Sequence, residues 1–357
     1  VACQYDDWFF SIKDENGEWV VRPRDYIRND NCKSFLAFGE DPSAFEGTPV
    51  AGQYYTKVID GKEATRVVYT PKEIHSWGSL SPASVKYAIE FFQHTMPAPK
   101  PMAPSDAMGF GKECISFVGV IGLVLFMVYF TLAMLELPFF SSLKAAEVAV
   151  SRPAPDDLKG KLWFWGGLTA GAVFSYLAFH WFMRPIYNIP DDALPALLPQ
   201  TQTLALGVWG AASGIFTIVM LAINYKTHLK AKGFDLREQG VIQSGKTIGK
   251  TVLLAVLAAC CTIGIVFFAA YFFNTNFQFW AIMFRTFTAD KVHYMLIALP
   301  MFLLFYIPNS IACHSFRFNK VGGKANVFIV ALFNAASIIY IEIVQYSVFF
   351  ATGQPFW

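Results

Sequence analysis

Six apolar stretches, at residues 115–137, 162–183, 202–224, 249–273, 292–312 and 325–350, constrain this chain more than any other feature. Each is 21 to 26 residues long, and at ~1.5 Å per helical residue each reaches across the ~30 Å hydrocarbon layer of a bilayer. Lipid offers no hydrogen bonds, so a crossing segment has to satisfy its own backbone, and an α-helix does so. The rest of the composition agrees. The chain of 357 residues is 55% hydrophobic and 15% charged, with a mean hydropathy of +0.40, outside the balance of a soluble domain.

The sequence therefore predicts a mainly α-helical polytopic membrane bundle of about six transmembrane helices, preceded by a partial α/β soluble region. Residues 1–95 are polar, with short β-rich runs between Gly, Pro and Asp clusters. A proline-rich linker follows at 96–111, and 112–357 form the transmembrane domain. Pro300 and Pro308 predict a kink or break in the fifth span, since each proline removes a backbone donor. The aromatic segment 274–290 is too short and polar to cross and is expected along the membrane surface. Basic residues set the orientation: the loops 138–161, 225–250 and 313–324 carry 13 Lys and Arg, against 3 in the alternate connections. The rich side is expected to be cytoplasmic, which puts the soluble region and the C-terminus on the other side.

A net charge of +2 gives no footprint for nucleic acid. The six cysteines contain no C-x-x-C pair, and the histidines form no ligand-spaced set, so neither a metal site nor a cofactor is expected. Whether Cys3 and Cys32 pair stays open, as does the oligomeric state. The chain starts without Met, as though inside a strand, and is expected to be a fragment of a longer protein.

Chemistry concentrates in residues 1–95. Thr65 to Thr70 reads as a strand, followed by the loop Pro71 to Ser79 that holds His75, and then by a helix with Ser81 as N-cap and Pro82 at its first position. Val85, Ile89 and Phe92 recur at helical spacing toward a core. Val1 to Tyr5 reads as a second strand tip, with Asp6 and Asp7 directly after it. The structural counterpart of His75 is a capping histidine, and that of the aspartates a turn beside a strand.

With VACQYDDWFF and RVVYTPKEIHSWGS quoted in that order, the region resembles the C-terminal half of the α/β-hydrolase fold, in a bacterial membrane-attached branch. The resemblance covers roughly residues 1–95. It implies that Asp6 is the catalytic acid, with Asp7 as the alternative, that His75 is the base, and that residues 1–5 and 66–70 are neighbouring parallel strands. No G-x-S-x-G occurs in the chain, so the nucleophile is expected upstream and this chain alone is expected to be inactive. The implied function is a membrane-embedded serine hydrolase acting on an unidentified small-molecule or lipid-like ester, with the lipid bilayer as partner.

Two further motifs carry weight. Gly240 to Thr247 matches G-x-x-x-x-G-K-[ST] but leads into a membrane span with no strand pattern before it, so Lys246 and Lys250 read as flanking charges. Glu342 lies within the sixth span with Asn334 two turns earlier, a candidate intramembrane polar site expected to face protein or water. The alternative function is accordingly a non-enzymatic transporter or channel-like protein, with residues 1–95 as an extracytoplasmic accessory domain.

Overall fold

The computed structural model describes residues 2, 4–5, 14–16, 20–78, 80–97, 99–106, 108–144, 157–280, 282–316 and 325–353. Helix makes up 67% of the chain. Two short helices, α1 (Asp30–Leu36) and α2 (Pro82–Thr95), precede six long ones. These are α3 (Met108–Leu135), α4 (Leu158–Tyr187), α5 (Thr201–Lys232), α6 (Gly245–Phe273), α7 (Ala289–His314) and α8 (Asn326–Thr352), all long and apolar enough to cross a membrane. Each overlaps one apolar stretch of the sequence. The chain is thus a multi-pass membrane protein by the length and composition of its helices.

Sheet is scarce. Strands β1 (Tyr55–Ile59) and β2 (Lys62–Arg66) form one antiparallel hairpin, and β3 (Phe277–Phe279) and β4 (Ile282–Phe284) form another. No α/β-hydrolase sheet is evident among the described residues. The run expected as one strand at 65–70 is divided: Thr65 and Arg66 end β2, while Tyr69 forms an isolated parallel bridge with Ala2. The aromatic segment after α6 turns back on itself as β3–β4, with Asn274 (φ 47°) closing the helix in the left-handed conformation.

Two compact units divide the chain. The first comprises 1–126, 262–285 and 345–356. Its core is Tyr26, Cys32, Leu36 and Val68, with Ile27, Phe35, Phe45 and Tyr55 packed around them. Arg66 covers this core from outside, its guanidinium 4.9 Å from the Phe35 ring centre and 4.8 Å from that of Phe38. Cys32 is a free thiol, and burial pushes its pKa up to about 11.

The second unit comprises 127–261, 286–344 and residue 357, and α5 packing on α7 dominates it. Glycines permit the approach. A Cβ added at Gly214 would overlap the Leu304 carbonyl oxygen, and one at Gly207 would lie 2.8 Å from Met301 Cε. Of the kink or break expected in this span, the break does not occur: α7 is one continuous helix through Pro300 and Pro308. Pro308 cannot donate to Leu304, its i−4 partner, and the carbonyl so released is the one that lies against Gly214. Close packing on α5 thus holds α7 where its own hydrogen bonding is interrupted.

Candidate functional site

The turn that carries His75 is built by its neighbours in the sequence. Ile74 is extended, His75–Trp77 make one 3₁₀ turn, and the Gly78 N–H donates to the His75 carbonyl at 3.0 Å. Ser81 then caps α2 as expected, its hydroxyl accepting from the N–H groups of Ala83 (3.1 Å) and Ser84 (3.2 Å), with Pro82 in the first position. The Ser84 hydroxyl donates to the Glu73 carboxylate, which ties the loop to the helix. His75 itself is exposed. One inward position of α2 is corrected: Val85 and Ile89 are half-buried, but Phe92 is 54% exposed, while its neighbour His94 packs on the Tyr54 ring.

Ala2, Gln4 and Tyr5 run alongside this loop in the same direction. Ala2 bridges Tyr69, the Tyr5 N–H donates to the Glu73 carbonyl at 2.9 Å, and the Gln4 side chain lies so close to Gly78 that a Cβ there would sit 2.6 Å from its Nε2. Asp6 and Asp7 follow directly in sequence but lie outside the described residues, so the structure gives no acid–base distance.

A further element supports the His75 turn from the opposite end of the sequence. Trp280, at the tip of β3–β4 with φ 51°, donates from Nε1 to the Ser76 carbonyl at 3.0 Å. Its ring meets Trp77 edge to face, with centres 5.8 Å apart. The hairpin is in turn held by Gln278, which donates to the Glu113 carboxylate at 2.6 Å, and by Phe279 on Phe117. Sequence reading missed this buttress, since it joins residues about 200 positions apart.

A second site lies inside the second unit. A cavity of about 450 Å³ is walled by α4, α5, α7 and α8. Its polar groups come at helical spacing: Trp209, Ser213, Thr217 and Asn224 on α5, Asn309 and Cys313 on α7, Asn334 and Ser337 on α8, and Ser175 on α4. Several are joined across helices, with Ser337 donating to the Ser175 hydroxyl at 3.0 Å and Trp209 Nε1 to the Ser175 carbonyl at 2.8 Å. The Asn334 amide donates to the Val330 carbonyl at 3.0 Å and lies 3.5 Å from the Cys313 sulfur. Two π turns border the cavity, Leu162–Gly166 and Tyr225–Leu229, a local widening of helix common at functional sites.

No known family, curated protein or solved structure matches this chain.

Of the two intramembrane candidates, Asn334 lines the cavity and Glu342 does not. Both residues are exposed on α8, and Glu342 lies outside the cavity lining. Eight residues at about 100° each leave the two about 80° apart around the helix, enough to separate their faces. The Gly240 to Thr247 segment behaves as a helix entry. Ser244 accepts from the Thr247 N–H at 3.1 Å, α6 begins at Gly245, and the described element directly before it is a helical turn rather than a strand. Among the described residues no group of His, Cys, Asp and Glu is placed to hold a metal. A shallower cleft in the first unit, lined by Tyr54, Tyr69, Tyr87 and His94 among others, does not include His75.

Proposed function

We propose that residues 1–95 are the acid-and-base portion of a membrane-embedded serine hydrolase of α/β-hydrolase type, acting on a small-molecule or lipid-like ester. The observation that supports this reading is the parallel course of Ala2 and Tyr5 beside 69–73, joined at Ala2–Tyr69 and Tyr5–Glu73, with the Gln4 side chain close to Gly78. In a doubly wound sheet, loops that leave neighbouring parallel strands emerge at one edge. In the sequence Asp6 directly follows Tyr5, and the His75 turn follows Glu73, the residue to which Tyr5 bonds. His75 would take the proton of a serine hydroxyl supplied from outside this chain, and the carboxylate of Asp6, or of Asp7, would orient the imidazole and stabilise its charged form. Exposure of His75 suits a base that has to meet a nucleophile from another segment. The test is labelling of the full-length protein in membranes with a fluorophosphonate, which reacts only with an activated serine. Labelling that depends on His75 supports the reading, and equal labelling of His75→Ala overturns it.

The cavity favours a second reading, a transporter or channel-like role for the spans, because polar side chains from four helices converge inside an otherwise apolar region. The two readings are compatible, since the cavity and the His75 turn lie in different units.

A further inference from the structure

We propose that the cavity between α4, α5, α7 and α8 binds an uncharged amphiphile, a mostly apolar molecule whose polar end carries a hydroxyl or amide N–H. This deepens the second reading and rests on the cavity being a binding site. Its volume of about 450 Å³ lies within the ~300–1,000 Å³ of small-molecule pockets. Trp163, Phe164, Phe216 and Phe302 are among its walls, and no Asp, Glu, Lys, Arg or His lines it. A charged ligand would lose its hydration there and find no counter-charge, which is costly in a low-dielectric site. The polar lining is made of neutral amides and hydroxyls instead.

Asn224 sharpens the choice. Its Oδ1 is buried and has no hydrogen-bond partner among the described residues, although the residue lines the cavity. An unmet acceptor in such a place costs about 1–3 kcal/mol, and a ligand O–H or N–H would satisfy it. Asn224 lies toward the C-terminal end of α5, as Asn309 does in α7, and Asn334 lies toward the N-terminal end of α8, so the polar end of the ligand belongs there and its apolar body deeper among the aromatic walls. The hydroxyls of Ser213 and Thr217 do not compete for it, since they donate to backbone carbonyls four residues earlier at 2.9 Å.

The test uses the full-length protein in nanodiscs with two photoreactive diazirine probes of equal chain length, a long-chain alcohol and the corresponding carboxylate, with crosslinks mapped by mass spectrometry. The expected result is saturable labelling of cavity peptides by the alcohol, competed by excess unlabelled alcohol and at least tenfold stronger than by the carboxylate. Gly171→Phe, which fills the cavity from a position with open space around it, is expected to abolish labelling. Asn224→Leu is expected to weaken alcohol binding on the order of tenfold and to leave a diazirine alkane unaffected. Saturable labelling that favours the carboxylate would overturn the ligand class while leaving the cavity as a site. Labelling by either probe that is unsaturable, or indifferent to Gly171→Phe in a protein that still melts normally, would overturn the cavity as a site and the second reading with it.

Discussion

Gly214 is the residue at which the membrane region has least latitude. Its missing Cβ leaves room for the Leu304 carbonyl that Pro308 releases, so Gly214→Ala is expected to lower stability by about 1–3 kcal/mol, in the range of overpacked cores. Gly171→Ala, which meets open space, is expected to be neutral or slightly stabilising. Thermal unfolding in detergent compares the two. Asp157 makes a second residue-scale prediction. It caps α4, accepting from the Gly160 N–H at 3.1 Å, with Lys232 at 3.5 Å. Burial raises its carboxyl, but the Gly160 N–H, Lys232 and His228 outweigh that and hold it below the ordinary value. A depressed folded pKa stabilises above the unfolded value of about 3.9 and is lost as pH falls through the folded one. The melting temperature of Asp157→Asn is therefore expected to lie below that of the parent at neutral pH, and the gap to close on acidification below about pH 4. Neither residue stands out in the sequence. A glycine in an apolar run has no visible partner until α7 is placed against it, and the hydroxyl stripe of α5 reads as side chains bonded to their own helix, which Ser213 and Thr217 indeed are.

Elements differ in how far local physics decides them. The six long helices were legible because an apolar run of more than 20 residues has a single way to satisfy its backbone in lipid. The Ser81–Pro82 start of α2 was legible because capping is a matter of a few adjacent atoms. The continuity of α7 was not, since it depends on the approach of α5 rather than on its own prolines. The β3–β4 hairpin was equally hidden, being too short for a period-2 pattern, and what it does emerges only where Trp280 meets Ser76 and Trp77. Trp280 is a positioning residue for the His75 turn. Trp280→Ala is expected to speed amide hydrogen exchange across residues 75–78 without change in α2. If the hydrolase reading holds, kcat falls up to about tenfold, the equivalent of one hydrogen bond, while KM stays constant. A Trp280→Phe variant keeps the ring contact, loses the indole donor, and is expected to lie between the two.

For the whole molecule, the charge of the connections assigns a direction to the six spans. With 13 basic residues on one side and 3 on the other, the C-terminus is expected outside the cytoplasm, and a reporter active only in the cytoplasm and fused after Trp357 is expected to stay silent. By the same rule residues 1–95 are expected outside, where a hydrolase would meet extracytoplasmic esters, and the asparagine end of the cavity is expected toward the cytoplasm. The most direct measurement is pre-steady-state hydrolysis of a p-nitrophenyl ester by the full-length protein. A base at His75 predicts a burst of nitrophenol as the acyl-enzyme forms, lost in His75→Ala and kept in His94→Ala, which removes the histidine that packs on Tyr54 instead. A burst that survives in His75→Ala, or is absent from the parent protein, contradicts the account.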